Sequence, residues 1–436
     1  MSGDPAVDAT HDIQQVALDS GVRLVTERMP TVRSISIGFW VGTGARDEEP
    51  GVAGASHFLE HLLFKGTLRR TAAEIAGALE AVGGDLNAFT SKEYTCFYAR
   101  CLDRDLPLAV DVLADMITSA TVTAEDVDAE RAVVLEEIRM HRDAPDELVH
   151  SIFSEVLFGN HPLGREVLGT SGIISTVPRD DVYTYYRQRY APSNLVVAVA
   201  GNLEHDQVRT LVENALHDLA DPGAVPARQL LTVEQPARAV GLYNRPTEQA
   251  HICLGGMGFA RDDERRYAAR VLEQAVGGGM ASRLFQEVRE RRGLAYSVYS
   301  YLSLHAEAGE HAVYAGTAVE RVDETLEVVR AELSRVLREG LSDAELVAAK
   351  GALTGSLILG LEDTSSRMTR LGRSAVCDQP LLSLDEMMGA IDAVRAEDVA
   401  AVTTALFGGN WSLAVVGPFE DSDTEKFASY SERLAA

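Results

Sequence analysis

Ser34-Ile-Ser-Ile-Gly-Phe-Trp-Val-Gly-Thr-Gly-Ala-Arg-Asp-Glu48 alternates like a half-buried strand and then runs into a charged turn. The pattern returns in the second half of the chain as Ala250-His-Ile-Cys-Leu-Gly-Gly-Met-Gly-Phe-Ala-Arg-Asp-Asp-Glu264. The correspondence extends outward from both copies. Thr123-Ala-Glu-Asp126 has the capping-box-like start of an amphipathic helix, and Ser342-Asp-Ala-Glu345 is its counterpart. Each is preceded by another helical stretch, Pro107 to Ser119 and Val322 to Glu339. Strand, helix, strands, helix, helix therefore occurs twice, which is the signature of an internal repeat. Further strands are expected at Val22 to Glu27, Leu195 to Ala200, Ala239 to Tyr243 and Trp411 to Val416. Without strict βαβ alternation, each half reads as α+β, a mixed sheet with helices. Asp221-Pro-Gly-Ala-Val-Pro-Ala-Arg-Gln229 has linker composition. The expected organisation is a first domain over 12–220, a linker over 221–237 and a homologous second domain over 238–430.

The chain has 436 residues, enough for two separate cores, with 46% hydrophobic and 24% charged residues. Forty Lys and Arg against 66 Asp and Glu leave a formal charge of −26. Such a field disfavours nucleic acid and anionic membrane and attracts cationic ligands. The four cysteines, Cys96, Cys101, Cys253 and Cys377, form no CxxC pair, which fits a reducing compartment. The N-terminus lacks the basic and apolar regions of a secretory leader, and the apolar run at Leu195 is too short to span a bilayer. These features predict a soluble cytoplasmic protein with neither nucleic-acid partner nor membrane insertion.

His57-Phe-Leu-Glu-His61 carries the chemistry. On a helix entered through Glu49-Pro50-Gly51 and left through Lys65-Gly66, His57, Glu60 and His61 fall on one arc, while Phe58, Leu59, Leu62 and Leu63 fall on the other. Two imidazoles one turn apart can grip one ion. A carboxylate three residues after the first lies beside that ion, free to take a proton from water there and pass it to a leaving amine. H-x-x-E-H is the inverted zincin pattern. A catalytic zinc needs a third protein ligand, and the helix starting at Thr123 offers Glu130, Glu136 and Glu137. Glu130 and Glu137 share a face two turns apart, suited to a ligand and a carboxylate that supports it, with Glu136 rotated away.

These residues resemble the pitrilysin-type zinc peptidases, in the mitochondrial-processing-peptidase-like branch. The resemblance runs from about residue 15 to 420. It rests on Gly54-Ala-Ser-His-Phe-Leu-Glu-His-Leu-Leu-Phe-Lys-Gly66, Gly83-Gly-Asp-Leu-Asn-Ala-Phe-Thr90, Glu130-Arg-Ala-Val-Val-Leu-Glu-Glu137 and Ser282-Arg-Leu-Phe-Gln-Glu-Val-Arg-Glu-Arg-Arg-Gly-Leu-Ala-Tyr296. It implies a half-shell of two homologous domains holding one zinc per chain. It selects Glu137 as the distal ligand and makes Glu130 the auxiliary carboxylate. It also implies that substrate adds as a strand along Asn87, Ala88 and Phe89, with Arg289 and Tyr296 holding it and stabilising the oxyanion. Such relatives pair to enclose peptides or unfolded segments. A homodimer is therefore expected, with Arg289 and Tyr296 completing the partner's site, and the net charge of −26 suggests a preference for basic peptides.

The second half lacks this chemistry: Arg270-Val-Leu-Glu273-Gln274 stands over the metal motif, and Ala349 and Ser356 over Glu130 and Glu137. His305 and His311 are expected to face solvent. Gly277-Gly-Gly279 is followed by no Lys-Ser/Thr and is not a phosphate loop. The alternative to a peptidase is a non-catalytic core or regulatory scaffold of the same fold, a fate known in the family after loss of the motif.

Overall fold

A computed structural model describes residues 13–217, 219–233 and 235–434. Residue 12, the expected start of the first domain, and residues 1–8, read as lacking a leader, lie outside these. The chain forms two compact units, and each is discontinuous in sequence: 13–138, Glu166–Gln229 and Ile358–Leu384 make the first, and Arg139–Arg165, Leu230–Leu357 and 385–434 the second.

The first unit is built on strands β1 (Ile13–Ala17), β2 (Arg23–Arg28), β3 (Ser34–Val41), β4 (Asp85–Thr90), β5 (Thr95–Leu102) and β6 (Leu195–Gly201). Their order is β1-β2-β6-β3-β5-β4. Only β2 and β6 run parallel, so the sheet is mixed. The uninterrupted apolar run of β6 is what a central strand buried on both faces requires. On one face Ile35, Ile37 and Phe39 pack with Phe58, Leu59 and the Leu106–Ser119 helix. The other face presents Val25, Trp40, Val196 and Ala198 to Met368, Leu371 and Ala375 of the Thr364–Val376 helix. That helix lies so close that a Cβ on Gly372 would stand 2.1 Å from the Trp40 ring. Arg367 and Arg370 anchor it to the buried Glu27 of β2.

The second unit holds β7 (Val240–Asn244), β8 (Gln249–Gly258), β9 (Ala295–Leu304), β10 (Gly309–Ala318) and β11 (Ser412–Gly417), ordered β7-β11-β8-β10-β9. Only β7 and β11 are parallel. One face forms its core with the Arg266–Gly277, Val322–Glu339 and Ala396–Phe407 helices. The other is covered by Val149, Phe153 and Leu157 of the Pro145–Phe158 helix. From that helix His150 reaches among three tyrosines, its ring nitrogens 3.0 Å from Tyr299 Oη and 3.1 Å from Tyr301 Oη.

Each unit is thus α+β, but the packing units are not the contiguous halves read from the sequence. Each sheet has two apolar faces. Helices of its own half cover one, and a helix from the other half covers the second: Thr364–Val376 for the first sheet, Pro145–Phe158 for the second. His311 also departs from expectation. It lies on the doubly paired β10, buried against Phe407 and Trp411, and its Nε2 donates to the Leu406 carbonyl at 3.1 Å. Burial depresses its pKa to about 4, so the ring is a neutral core group.

Candidate metal centre

The His57 motif lies on a short helix, Ala55–Leu62. Its start is built without an N-cap side chain. Gly54 sits at φ 96, and a Cβ there would meet the Leu168 carbonyl oxygen at 2.9 Å. The cap comes from further back: the buried Glu48 carboxylate accepts from Gly54 N at 2.6 Å and Ser56 N at 2.7 Å. A negative charge there also suits the positive end of the helix dipole. Phe58, Leu59, Leu62 and Leu63 are fully buried and fix the rotation of the helix. The His57–Glu60–His61 arc is left on the opposite side.

Glu137 comes from the Ala124–Asp143 helix, started by Thr123 accepting from Asp126 N at 3.1 Å. Its Oε2 lies 3.6 Å from His57 Nε2 and 3.4 Å from His61 Nε2, and the two imidazole nitrogens are 3.3 Å apart. Ligands about 2.1 Å from one tetrahedral zinc are roughly 3.3–3.5 Å from each other, so the three atoms fit one such ion. Burial, assisted by the neighbouring His61, lowers the His57 pKa to about 4 and keeps the ring neutral, the form that ligates. The buried Glu137 Oε2 has no hydrogen-bond partner, an acceptor without a donor at the centre of the cluster. Among the described residues no other trio of His, Cys, Asp or Glu converges in this way.

Around the trio, His61 Nδ1 donates to Glu130 Oε1 at 2.9 Å, which turns the lone pair of Nε2 toward Glu137. Lys65 pairs with the same Glu130 carboxylate. Glu136 is exposed on another face. Glu60 stands beside the cluster and accepts from Thr90 Oγ1 at 2.6 Å. Burial raises its pKa, against the opposing pull of Thr90 and His61. Thr90 ends β4, the edge strand that carries Asn87, Ala88 and Phe89. Phe89 packs on Trp40 and Tyr98, and the Ala88 N–H donates to the Asn87 side chain.

Arg289 and Tyr296 belong to the second unit, where they meet each other. The guanidinium lies 4.4 Å from the Tyr296 ring centroid and 4.8 Å from that of Phe285. Arg289 sits in a π-helical segment, Phe285–Arg291, and Tyr296 is 78% exposed. Sequence reasoning missed Glu48, Lys65 and Thr90. All three lie in the quoted motifs or their flanks, but nothing in their spacing marks what they touch.

A family described as insulinase (peptidase family M16) matches residues 23–171, and the peptidase M16 inactive domain matches 176–353. An uncharacterized zinc protease of Streptomyces coelicolor is 48% identical over 95% of this chain and 91% of its own. The chain belongs to peptidase family M16. Further relatives include uncharacterized zinc proteases of Mycobacterium tuberculosis, 46% identical over 93% of both chains, and Bacillus subtilis, 41% identical over 93% of this chain and 98% of its own. A protease from Helicobacter pylori shares the fold, with a TM-score of 0.89 at 21% identity over 93% of this chain and 99% of that one. The M16 inactive-domain match begins in the first half at residue 176 and includes the stretch where Arg270 and Gln274 stand in place of the histidines. No single helix among the described residues is long and apolar enough to cross a membrane.

Proposed function

We propose that this chain is a zinc-dependent endopeptidase acting on peptides or unfolded segments. His57, His61 and Glu137 hold one zinc per chain, and Glu60 is the general base and then the general acid. The reading rests on one observation: two imidazole nitrogens and a carboxylate oxygen within 4.8 Å of one another, with Glu60 alongside. The relatives named as zinc proteases support the choice of metal. When bound, zinc would supply Lewis acidity, lowering the pKa of water and polarising the scissile carbonyl. The protein's own groups do the rest. Thr90 holds Glu60 Oε2, leaving Oε1 to take a proton from the attacking water and deliver it to the leaving amine. A carboxyl raised by burial is suited to both transfers. Peptide adds as a strand on the open edge of β4, whose last residue is the one bonded to Glu60, so main-chain pairing brings the peptide alongside the base.

Glu60→Gln tests the reading. The variant should keep its zinc and lose turnover of a fluorogenic basic peptide by about 10²–10⁴-fold. Undiminished turnover would remove Glu60 from the mechanism, and a wild-type chain that binds zinc without hydrolysing peptide would make the inert scaffold the better account.

The proposal extends to a homodimer that encloses its substrate, with Arg289 and Tyr296 of one subunit serving the zinc site of the other. The stacking of Arg289 on an exposed tyrosine supports a substrate-holding role. An Arg289→Ala chain mixed with a Glu60→Gln chain should recover activity. Heterodimers that form and stay inactive would refute the exchange.

A further inference from the structure

Three acidic side chains around the turn that follows β3 are buried, a costly arrangement that needs a cause. Glu48 is used at the start of the metal-site helix. Asp47 and Glu93 are used by arginines. Arg46 donates to Glu93 Oε1 at 2.8 Å, both side chains being almost fully buried. Arg228 comes from the segment joining the two sequence halves. It grips Asp47 through two parallel bonds of 2.8 Å, from Nε to Oδ1 and from Nη2 to Oδ2. The same Nη2 donates to the Glu93 carbonyl at 2.6 Å and the Gly42 carbonyl at 3.3 Å. Arg189 closes the ring from the other side, donating to the carbonyls of Asp47 and Pro226 at 2.9 Å each.

Arg228 therefore ties together two pieces of backbone that each end at the metal centre. One is the turn 44–48, whose last residue holds the N–H groups of Gly54 and Ser56 and so sets where the helix bearing His57 begins. The other is the hairpin 90–95, bonded to the first by Ala45 N to Ser91 O at 3.1 Å and Arg46 N to Lys92 O at 3.0 Å. It begins at Thr90, the donor to Glu60. An eight-residue helix is too short to hold its place alone. Its entry depends on Glu48, and Glu48 on a turn pinned by charge-assisted bonds.

We propose that Arg228 is a positioning residue for the metal centre, locking the turn and the hairpin so that Glu48 registers the His57 helix and Thr90 registers Glu60. The inference rests on the metal reading above. It assigns a function to a segment that composition alone marks as a linker.

The full chain tests it, with zinc affinity measured by competition against a chromophoric chelator and secondary structure followed by circular dichroism. Arg228→Met should weaken zinc by about tenfold, the lower end of what outer partners of metal ligands contribute. It should lower kcat more than it raises KM. Arg228→Lys keeps the charge but not the two-pronged grip and should fall between the two. Arg370→Met, which removes a partner of the buried Glu27 in the same unit, should lower the melting temperature and leave zinc affinity unchanged. A folded Arg228→Met chain with wild-type zinc affinity overturns the proposal, as does an equal loss in Arg370→Met, which would mean general loosening. If Arg228→Met does not fold, Arg228→Lys decides: weakened zinc supports the proposal and wild-type affinity overturns it. Failure of the wild-type chain to take up zinc would sink the metal reading itself, a separate result.

Discussion

The Ala55–Leu62 and Arg266–Gly277 helices hold equivalent places in the repeat, and each carries a partly buried carboxyl at the matching position, Glu60 and Glu273. Burial raises the pKa of both. Burial alone therefore does not separate the proposed base from its counterpart. Glu273 has a cation on its own helix, Arg270 Nη1, at 3.6 Å, where the first helix has His57. Glu60 has a neutral hydroxyl donor and two imidazoles whose lone pairs face a third ligand. On the proposed reading, the difference between the two helices is carried by the neighbours one turn away and by the helix that comes to meet them. The Ala124–Asp143 helix brings Glu130 and Glu137, while Asp343–Gly360 brings Ala349 and Ser356.

The largest contrast should come from paired neutralisations. Glu60→Gln should remove about 10²–10⁴-fold of turnover, while Glu273→Gln in the same assay should leave turnover within about twofold, since its carboxylate serves an ion pair of small value. Equal losses would mean that the second helix contributes to chemistry and that the contrast drawn here is false. A middling effect is expected at Glu130, which orients His61 and takes Lys65. Glu130→Gln should weaken zinc about 10–100-fold in chelator competition, because the amide holds the ring without a charge to strengthen its ligation. Unchanged affinity would reduce Glu130 to a buried partner of Lys65 with no part in holding the zinc.

What could be read in advance follows from the range of the interactions involved. The arc of His57, Glu60 and His61 depends on helical pitch, a local property, and the burial of Phe58, Leu59, Leu62 and Leu63 agrees with it. The strands at Ser34 and Leu195 announce themselves by alternation and by an unbroken apolar run. Pitch also put Glu130 and Glu137 on one face, but resemblance, not pitch, chose the ligand. The exchange of Pro145–Phe158 and Thr364–Val376 left no local sign. An apolar stripe says that a face is covered, not which sheet covers it. The same limit hid Glu48 and Arg228, whose charges look solvated until their partners, distant in sequence, are in place. His311 was misread because a polar run suggested an exposed strand, whereas β10 is paired on both sides and the Leu406 carbonyl satisfies the ring.

The smallest effect should follow from restoring the histidines to the second helix. Arg270→His with Gln274→His recreates the HxxEH spacing around Glu273 and removes its cation, yet the chain should still hold one tight zinc, not two, after dialysis and metal analysis. Two imidazoles without a third protein ligand make an incomplete site. The helix at the matching place in the repeat offers a buried methyl at Ala349 and an exposed hydroxyl at Ser356 in place of carboxylates. Adding Ser356→Glu supplies the missing oxygen at the position matching Glu137. A second equivalent of zinc in the triple variant alone would show that the repeat still holds the geometry and lacks only the donors. A second equivalent already in the double variant would mean that a distal carboxylate is not what separates the two halves, and the weight placed on Glu137 would have to move to the helix itself.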